Sequence, residues 1–186
     1  MFTELFLRKE ALESSQVEET QANLSDIYTY EDGREDLVAV EHREGVREVL
    51  NYLSALDYGL KIVDSGEQIQ LGLLCRMQEK LLEGVRGEDT PPGEIREKQN
   101  FIGSTPYIED ARYVPPPPEK VGDQLQELID FINRESRMNP LIQVGLAHYQ
   151  FEAIHPFLDG NGRLGRLLIS LLLKRDGLLL EPGIGT

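Results

Sequence analysis

The sequence predicts a mainly α-helical bundle, on three observations. Apolar residues recur at helical spacing in window after window. The length of 186 residues, with 40% hydrophobic and 28% charged residues, suits one domain with a single core. The periodicity fails over one long stretch only, residues 88–118, where Gly and Pro take over.

Residues 2–28 read as helical, with Phe2, Leu5 and Leu12 on one side and Arg8 and Lys9 interrupting the stripe. Ser15 and Glu18 have the spacing of a capping box, which would start a second helical segment there. Over 35–64, Val46, Val49, Leu50, Leu53, Leu56 and Leu60 give a core helix. Ser65-Gly66 punctuates the chain before a helix in which Ile69, Leu73, Met77 and Leu81 repeat, closed by Gly84 and Gly87. The stretch of about thirty residues that follows is too long for an idle connection. Pro115 to Pro118 must be extended, as a docking motif or as a rigid exit; the helical stripe Val121, Leu125, Leu128, Ile129 and Ile132 resumes at once and favours the exit. Asn139-Pro140 is an N-cap followed by Pro at the first helical position. Leu141, Val144, His148 and Phe151 then share a face, on which His148 reads as a core histidine before it reads as a catalytic one. Last comes a strong stripe, Leu164, Leu167, Leu168, Leu171 and Leu172, with Lys174 and Arg175 at its C-terminal end and Gly177 to stop it.

Between these last two helices lies the densest chemistry in the chain, His155-Pro156-Phe157-Leu158-Asp159-Gly160-Asn161-Gly162-Arg163-Leu164-Gly165-Arg166. The glycines let consecutive N–H groups converge on an anion. A helix starting near Gly162 adds unpaired N–H donors and the positive end of its dipole. Arg163 and Arg166, at i and i+3, can fork onto phosphate oxygens. Asp159 is a hard oxygen ligand of the kind Mg²⁺ accepts beside phosphates, and His155 can take a proton near neutral pH. This is the composition of a phosphate site with a base beside it.

The stretch resembles the signature of the Fic family, His-x-Phe-x-(Asp/Glu)-Gly-Asn-Gly-Arg-x-x-Arg, with every specified position present. A second likeness is Arg96-Glu97-Lys98-Gln99-Asn100-Phe101-Ile102-Gly103, similar to the family's Arg-x-x-Gln-Asn-x-Ile-Gly stretch. The resemblance implies a Fic-type helical bundle with a short β-hairpin flap, on which Ile102 and Gly103 would pair with a target protein by strand addition. Read for itself, the same stretch is an ordinary hairpin with an exposed edge. A third likeness lies near the N-terminus, where Ser14 and Glu18 match the family's Ser/Thr-x-x-x-Glu-(Gly/Asn) inhibitory helix, with Glu19 standing where the family has Gly or Asn. It implies that Glu18 pairs with Arg166 and blocks the γ-phosphate position. The implied division is one domain over 1–186, with an inhibitory region at 1–30, flap and Pro-rich loop at 88–118, and motif-bearing helices at 119–180.

The activity implied is transfer of AMP from ATP, with Mg²⁺, to a Ser, Thr or Tyr hydroxyl of a target protein, self-modification included. His155 would be the base, Asp159 the metal ligand, Gly160, Asn161 and Gly162 an anion cradle formed by backbone N–H groups and the Asn amide, and Arg163 and Arg166 the phosphate grips. Two alternatives stay open: removal of AMP by water activated at Glu18, and a non-catalytic nucleotide- or protein-binding module. UMP or phosphoryl transfer is less favoured because Gly162 is kept where the phosphorylating branch carries Lys.

The net charge of −14 and pI near 4.6 argue against a broad nucleic-acid or anionic-membrane surface, so a nucleotide needs a local basic pocket. The N-terminus has no basic region followed by an apolar core, and a cytoplasmic location is expected. Cys75 is alone, hence without an internal disulfide, and is expected to be a small buried apolar residue. Family members with this layout usually continue through a further helix, so the chain reads as truncated at its C-terminus, with its oligomeric state open.

Overall fold

Seven α-helices account for the fold of the computed structural model, which describes residues 2–18, 20–85 and 91–179, and residues 2–6 through their backbone alone. The Phe2 and Leu5 side chains, Glu19, Gly87, residues 88–90 and the chain beyond Leu179 lie outside the described residues. The helices are α1 (Phe2–Gln16), α2 (Leu24–Glu31), α3 (Val40–Asp64), α4 (Leu71–Leu81), α5 (Pro118–Asn133), α6 (Pro140–Ile154) and α7 (Asn161–Arg175).

The centre of the bundle is α7, which touches α1, α3, α4 and α6. Leu164, Leu167, Leu168 and Leu171 are wholly buried and Leu172 nearly so. At about 2 kcal/mol for each buried leucine, this stripe is a large share of what holds the helix in place. Because Leu171 packs where Gly59 has no side chain, α3 crosses α7 closely. On its other side α7 carries α6, whose Val144, Ala147, Phe151 and Ile154 face the core.

Several boundaries follow local chemistry. Asn139 caps α6 by accepting from the Leu141 N–H (2.9 Å), and Pro140 takes the first helical position, where no N–H is needed. Gly177 is left-handed (φ 68°) just past α7 and stops it. Pro117 and Pro118 open α5, and the carbonyls of Pro115 and Pro116 accept from Gln99 and Arg96. The extended run expected over Pro115 to Pro118 thus ends at Pro117, since Pro118 is already helical, and it leads directly into α5.

Three expectations are corrected. The capping box belongs to Asn23 and Asp26, not to Ser15 and Glu18, so the second helical segment expected within 2–28 starts at Leu24, and the residues around Ser14 and Glu18 contact Arg166 instead. On α6, Leu141 is 61% exposed, so the buried face begins at Val144. Finally, no strand is present among the described residues: over the expected hairpin a single antiparallel bridge joins Ile102 to Tyr113, with a 3-10 turn at Ile108–Asp110 between them. On one side Pro115, opposite Asn100, has no N–H to give, and on the other the Ala111 N–H, opposite Ser104, is spent on the Ile108 carbonyl, so the pairing stops at that one position. Cys75 is half-buried against the core, and burial pushes its thiol up.

Candidate active site

The motif loop runs from the last residue of α6 to the first turn of α7, and each end is fixed by a left-handed residue. Gly160 (φ 78°) precedes α7, and its carbonyl accepts the first helical bond from Leu164. His155 (φ 48°) ends α6 and is the only non-glycine residue at positive φ among the described residues. That conformation costs about 1–2 kcal/mol for an L-residue, and hydrogen bonds hold it. Arg96, 3% exposed, donates from Nε to the His155 carbonyl (2.8 Å) and from Nη2 to the carbonyls of Ile154 and Pro116. The Asn100 amide donates to the carbonyls of His155 (3.3 Å) and Phe157 (3.0 Å), and the Arg96 N–H to that of Pro156. The flap base therefore sets the backbone at the histidine.

Burial pushes the His155 imidazole below its ordinary value; the neighbouring Glu152 carbonyl opposes this, Arg96 adds to it, and Glu18 and Asp159 oppose it weakly. The ring is partly buried, and its Nδ1 makes no well-formed hydrogen bond to the described residues.

Asn161 is turned inward. Its Oδ1 accepts from the Phe157 N–H (3.0 Å) and its Nδ2 donates to the Phe157 carbonyl (2.9 Å), so the side chain closes the loop and leaves only the backbone for an anion. The Asp159 carbonyl accepts from Gln78 Nε2 (3.1 Å), and Gln78 Oε1 accepts from the Gly93 N–H, tying the loop to α4. Asp159 accepts from the Gly160 N–H (2.6 Å) and is half-exposed.

The two arginines differ in state. Arg163 is buried, with Nε and Nη1 lacking any partner among the described residues and Asp159 no nearer than 3.9 Å. A buried guanidinium so placed is costly, and the oxygens of an anion would satisfy it. Arg166 is engaged by the last turn of α1 and the turn that follows it: Nε donates to Ser14 Oγ (2.6 Å), and Nη2 to the Ser14 carbonyl (2.9 Å) and to Glu18 Oε1 (2.8 Å). The same Glu18 oxygen lies over Gly162, where any Cβ would come within 2.5 Å of it. Ser14, Glu18, Gly162 and Arg166 thus converge, while His155, Asp159, Gly160, Asn161 and Arg163 follow one another along the loop and the first turn of α7; Ile102, in its bridge with Tyr113, is 40% exposed.

His148, read as a core histidine, is half-buried with Nδ1 on the Gly165 carbonyl (3.1 Å). Sequence reasoning missed Glu152, whose carboxylate packs on Gly165 with Oε1 buried and unpartnered; burial raises it, against the pull of His148 and Arg166. It also missed the anchoring by Gln78, whose only signal is a polar residue inside the apolar face of α4. Among the described residues no three His, Cys, Asp or Glu gather as a metal cage. One half-exposed carboxylate is a donor set that suits Mg²⁺ carried by phosphates and water.

An apolar helix entered through a glycine-flanked amide loop, with two guanidiniums in its first turns and a histidine at the far end of that loop, is the arrangement this helical domain builds. The chain belongs to the Fic/DOC family, which residues 68–173 match, while residues 1–61 match the family's N-terminal region. It is 33% identical over 113 residues to the Caenorhabditis elegans protein adenylyltransferase fic-1, covering 60% of this chain and 20% of that protein. With the Drosophila willistoni protein adenylyltransferase Fic it shares 33% over 131 residues, 68% of this chain and 25% of that one. A probable protein adenylyltransferase of Aquifex aeolicus is 26% identical over 178 residues, 96% of this chain and 51% of that one. The chain therefore spans at most about half of these relatives. Among solved structures, a Fic family protein from Desulfovibrio desulfuricans superimposes with a TM-score of 0.68 at 26% identity, over 90% of this chain and 48% of that one. A Fic domain containing signaling protein from Bacteroides thetaiotaomicron, at 21% identity, TM-score 0.75 and coverages of 91% and 64%, shares the fold.

Proposed function

We propose that the chain is the catalytic domain of a protein adenylyltransferase, moving AMP from ATP to a hydroxyl of a target protein, and that the turn carrying Glu18 inhibits it. The observation that carries this reading is the buried, unsatisfied Arg163 guanidinium beside the amide-lined start of α7, with His155 fixed at the other end of the same loop. The triphosphate lies on the N–H groups of Asn161 and Gly162 at the start of α7, just past Gly160, whose own N–H is taken by Asp159, with Arg163 and Arg166 on the β- and γ-phosphates. His155, kept neutral by burial, takes the proton of the target hydroxyl as its oxygen bonds to the α-phosphorus. The bond from that phosphorus to the bridging oxygen breaks, and pyrophosphate leaves with the electron pair. Asp159 would hold Mg²⁺, which when bound supplies charge neutralisation at the phosphates.

Glu18 competes with the γ-phosphate for one guanidinium, so nucleotide and inhibitory turn exclude each other. The target segment docks along the flap at Ile102 and Gly103 by strand addition, the chain itself being one substrate. A second reading, removal of AMP, is favoured by the same Glu18, which sits over the cradle where it could activate water.

Labelled-ATP transfer with Mg²⁺ tests this. Glu18→Gly is expected to raise labelling of the protein itself, and His155→Ala in that background to reduce it at least about 100-fold with ATP affinity within a few-fold. Retained labelling after His155→Ala removes the base from the mechanism. Release of AMP from a modified target by wild type, lost in Glu18→Gly, would establish the reverse reaction, and ATP binding without turnover in Glu18→Gly would establish a binding module.

A further inference from the structure

One buried polar cluster has no part in the chemistry above. Gly45, Glu48, Val49 and Tyr52 stand at i, i+3, i+4 and i+7 on α3, and all four are buried, so they form one face. That face is turned to α1 and the chain that leaves it. The Tyr52 hydroxyl donates to Glu10 (3.4 Å), which also accepts from Ser170 of α7 (2.9 Å). Thr20, 7% exposed, donates its hydroxyl proton to the carboxylate of Glu48, 1% exposed. At Gly45 the Gln21 carbonyl lies so close that any side chain would run into it.

A polar side chain this deep in the core is costly unless it is partnered, and its use is indicated by what it holds. Thr20 is two residues beyond Glu18, a span of at most about 7 Å of chain. Fixing Thr20 on α3 therefore limits how far the Glu18 carboxylate can move from Arg166. The Glu18–Arg166 pair is itself 39% and 26% exposed, and a pair so open to water contributes little alone. A weak pair competes with a triphosphate only if its carboxylate is held in place beforehand.

We infer that Gly45 and Glu48 of α3 are a latch that positions Glu18 over the nucleotide cradle by pinning Thr20 and Gln21, so that α3 sets the strength of inhibition. Neither residue touches nucleotide; they are positioning residues acting through Glu18. The inference rests on the reading of the α7 start as an ATP site that Glu18 occludes.

Calorimetry of ATP binding to the full chain tests it. Thr20→Val, which keeps shape and loses the donor, and Glu48→Gln, which replaces the accepting carboxylate by an amide, are expected to bind ATP roughly tenfold more tightly than wild type. Thr20→Ser, which keeps the hydroxyl, is expected to match wild type. Thr20→Val added to Glu18→Gly should bring no further gain, because both act on one carboxylate. Where Glu48→Gln fails to fold, Thr20→Val decides alone. Wild-type affinity in folded Thr20→Val, alongside tighter binding in Glu18→Gly, overturns the latch and leaves the ATP site standing. No ATP binding by Glu18→Gly takes both readings down.

Discussion

At the scale of single residues, the site depends on groups held in states they would not adopt in water. His155 is in a left-handed conformation that only its clasped carbonyl makes tenable, and its imidazole is held by burial below the ordinary 6.5. If it is the base, the neutral form persists below pH 6.5, and the acid limb of the transfer rate against pH falls below that value, not at it. The sign for stability is the same. As pH falls below 6.5 the unfolded chain takes up this proton before the folded one, so His155's contribution, complete above 6.5, is lost as pH passes through the folded value. A pH–rate profile with self-modification as readout checks the limb, and a limb centred above 6.5 would contradict the burial argument. Arg96 and Asn100 show why site residues escape a motif reading. In the sequence they belong to the flap, whereas in the fold their side chains serve the histidine backbone more than fifty residues away.

At the scale of elements, α7 is the fixed member and its neighbours are fitted to it. Glycine reports how closely. A methyl group at Gly59 would come 2.9 Å from both Leu171 Cδ atoms and 3.0 Å from Met77 Cε, all within a wholly buried contact. Gly59→Ala gains about 1 kcal/mol of helix propensity and costs about 1–3 kcal/mol of overpacking, a net loss of about 1 kcal/mol. Gly122 on α5 faces open space, and Gly122→Ala is expected to stabilise by about 0.5–1 kcal/mol. Urea unfolding of the two variants should therefore move in opposite directions. Equal gains would mean that α3 and α7 are less tightly crossed than the Leu171 contact implies.

At the scale of the whole molecule, the chain carries a net charge of −14. Self-repulsion of this size opposes compaction and is screened by salt. Thermal melting in about 10 mM and about 150 mM NaCl is expected to show a rise of roughly 2–4 °C, and a fall would mean that attractive ion pairs dominate. No helix among the described residues is long and apolar enough to cross a membrane. The architecture also places the end of α1 between two elements: α1 lies against both α3 and α7, so the turn that carries Glu18 is held from two sides.

By itself the sequence determined the helices and the glycine-flanked loop before α7, because both are written locally: a 3.6-residue period, a cap, a glycine pair, two arginines one turn apart. It also named Glu18 and Arg166 as partners, through resemblance and not through spacing. Only the tertiary structure decided that the Asn161 amide is spent on closing the loop, that the flap pairs at one position, and that α1 ends where Arg166 grips it. These turn on contacts between residues far apart in the chain, whose formation depends on which faces meet when the leucine stripe of α7 is buried; no local pattern encodes that meeting.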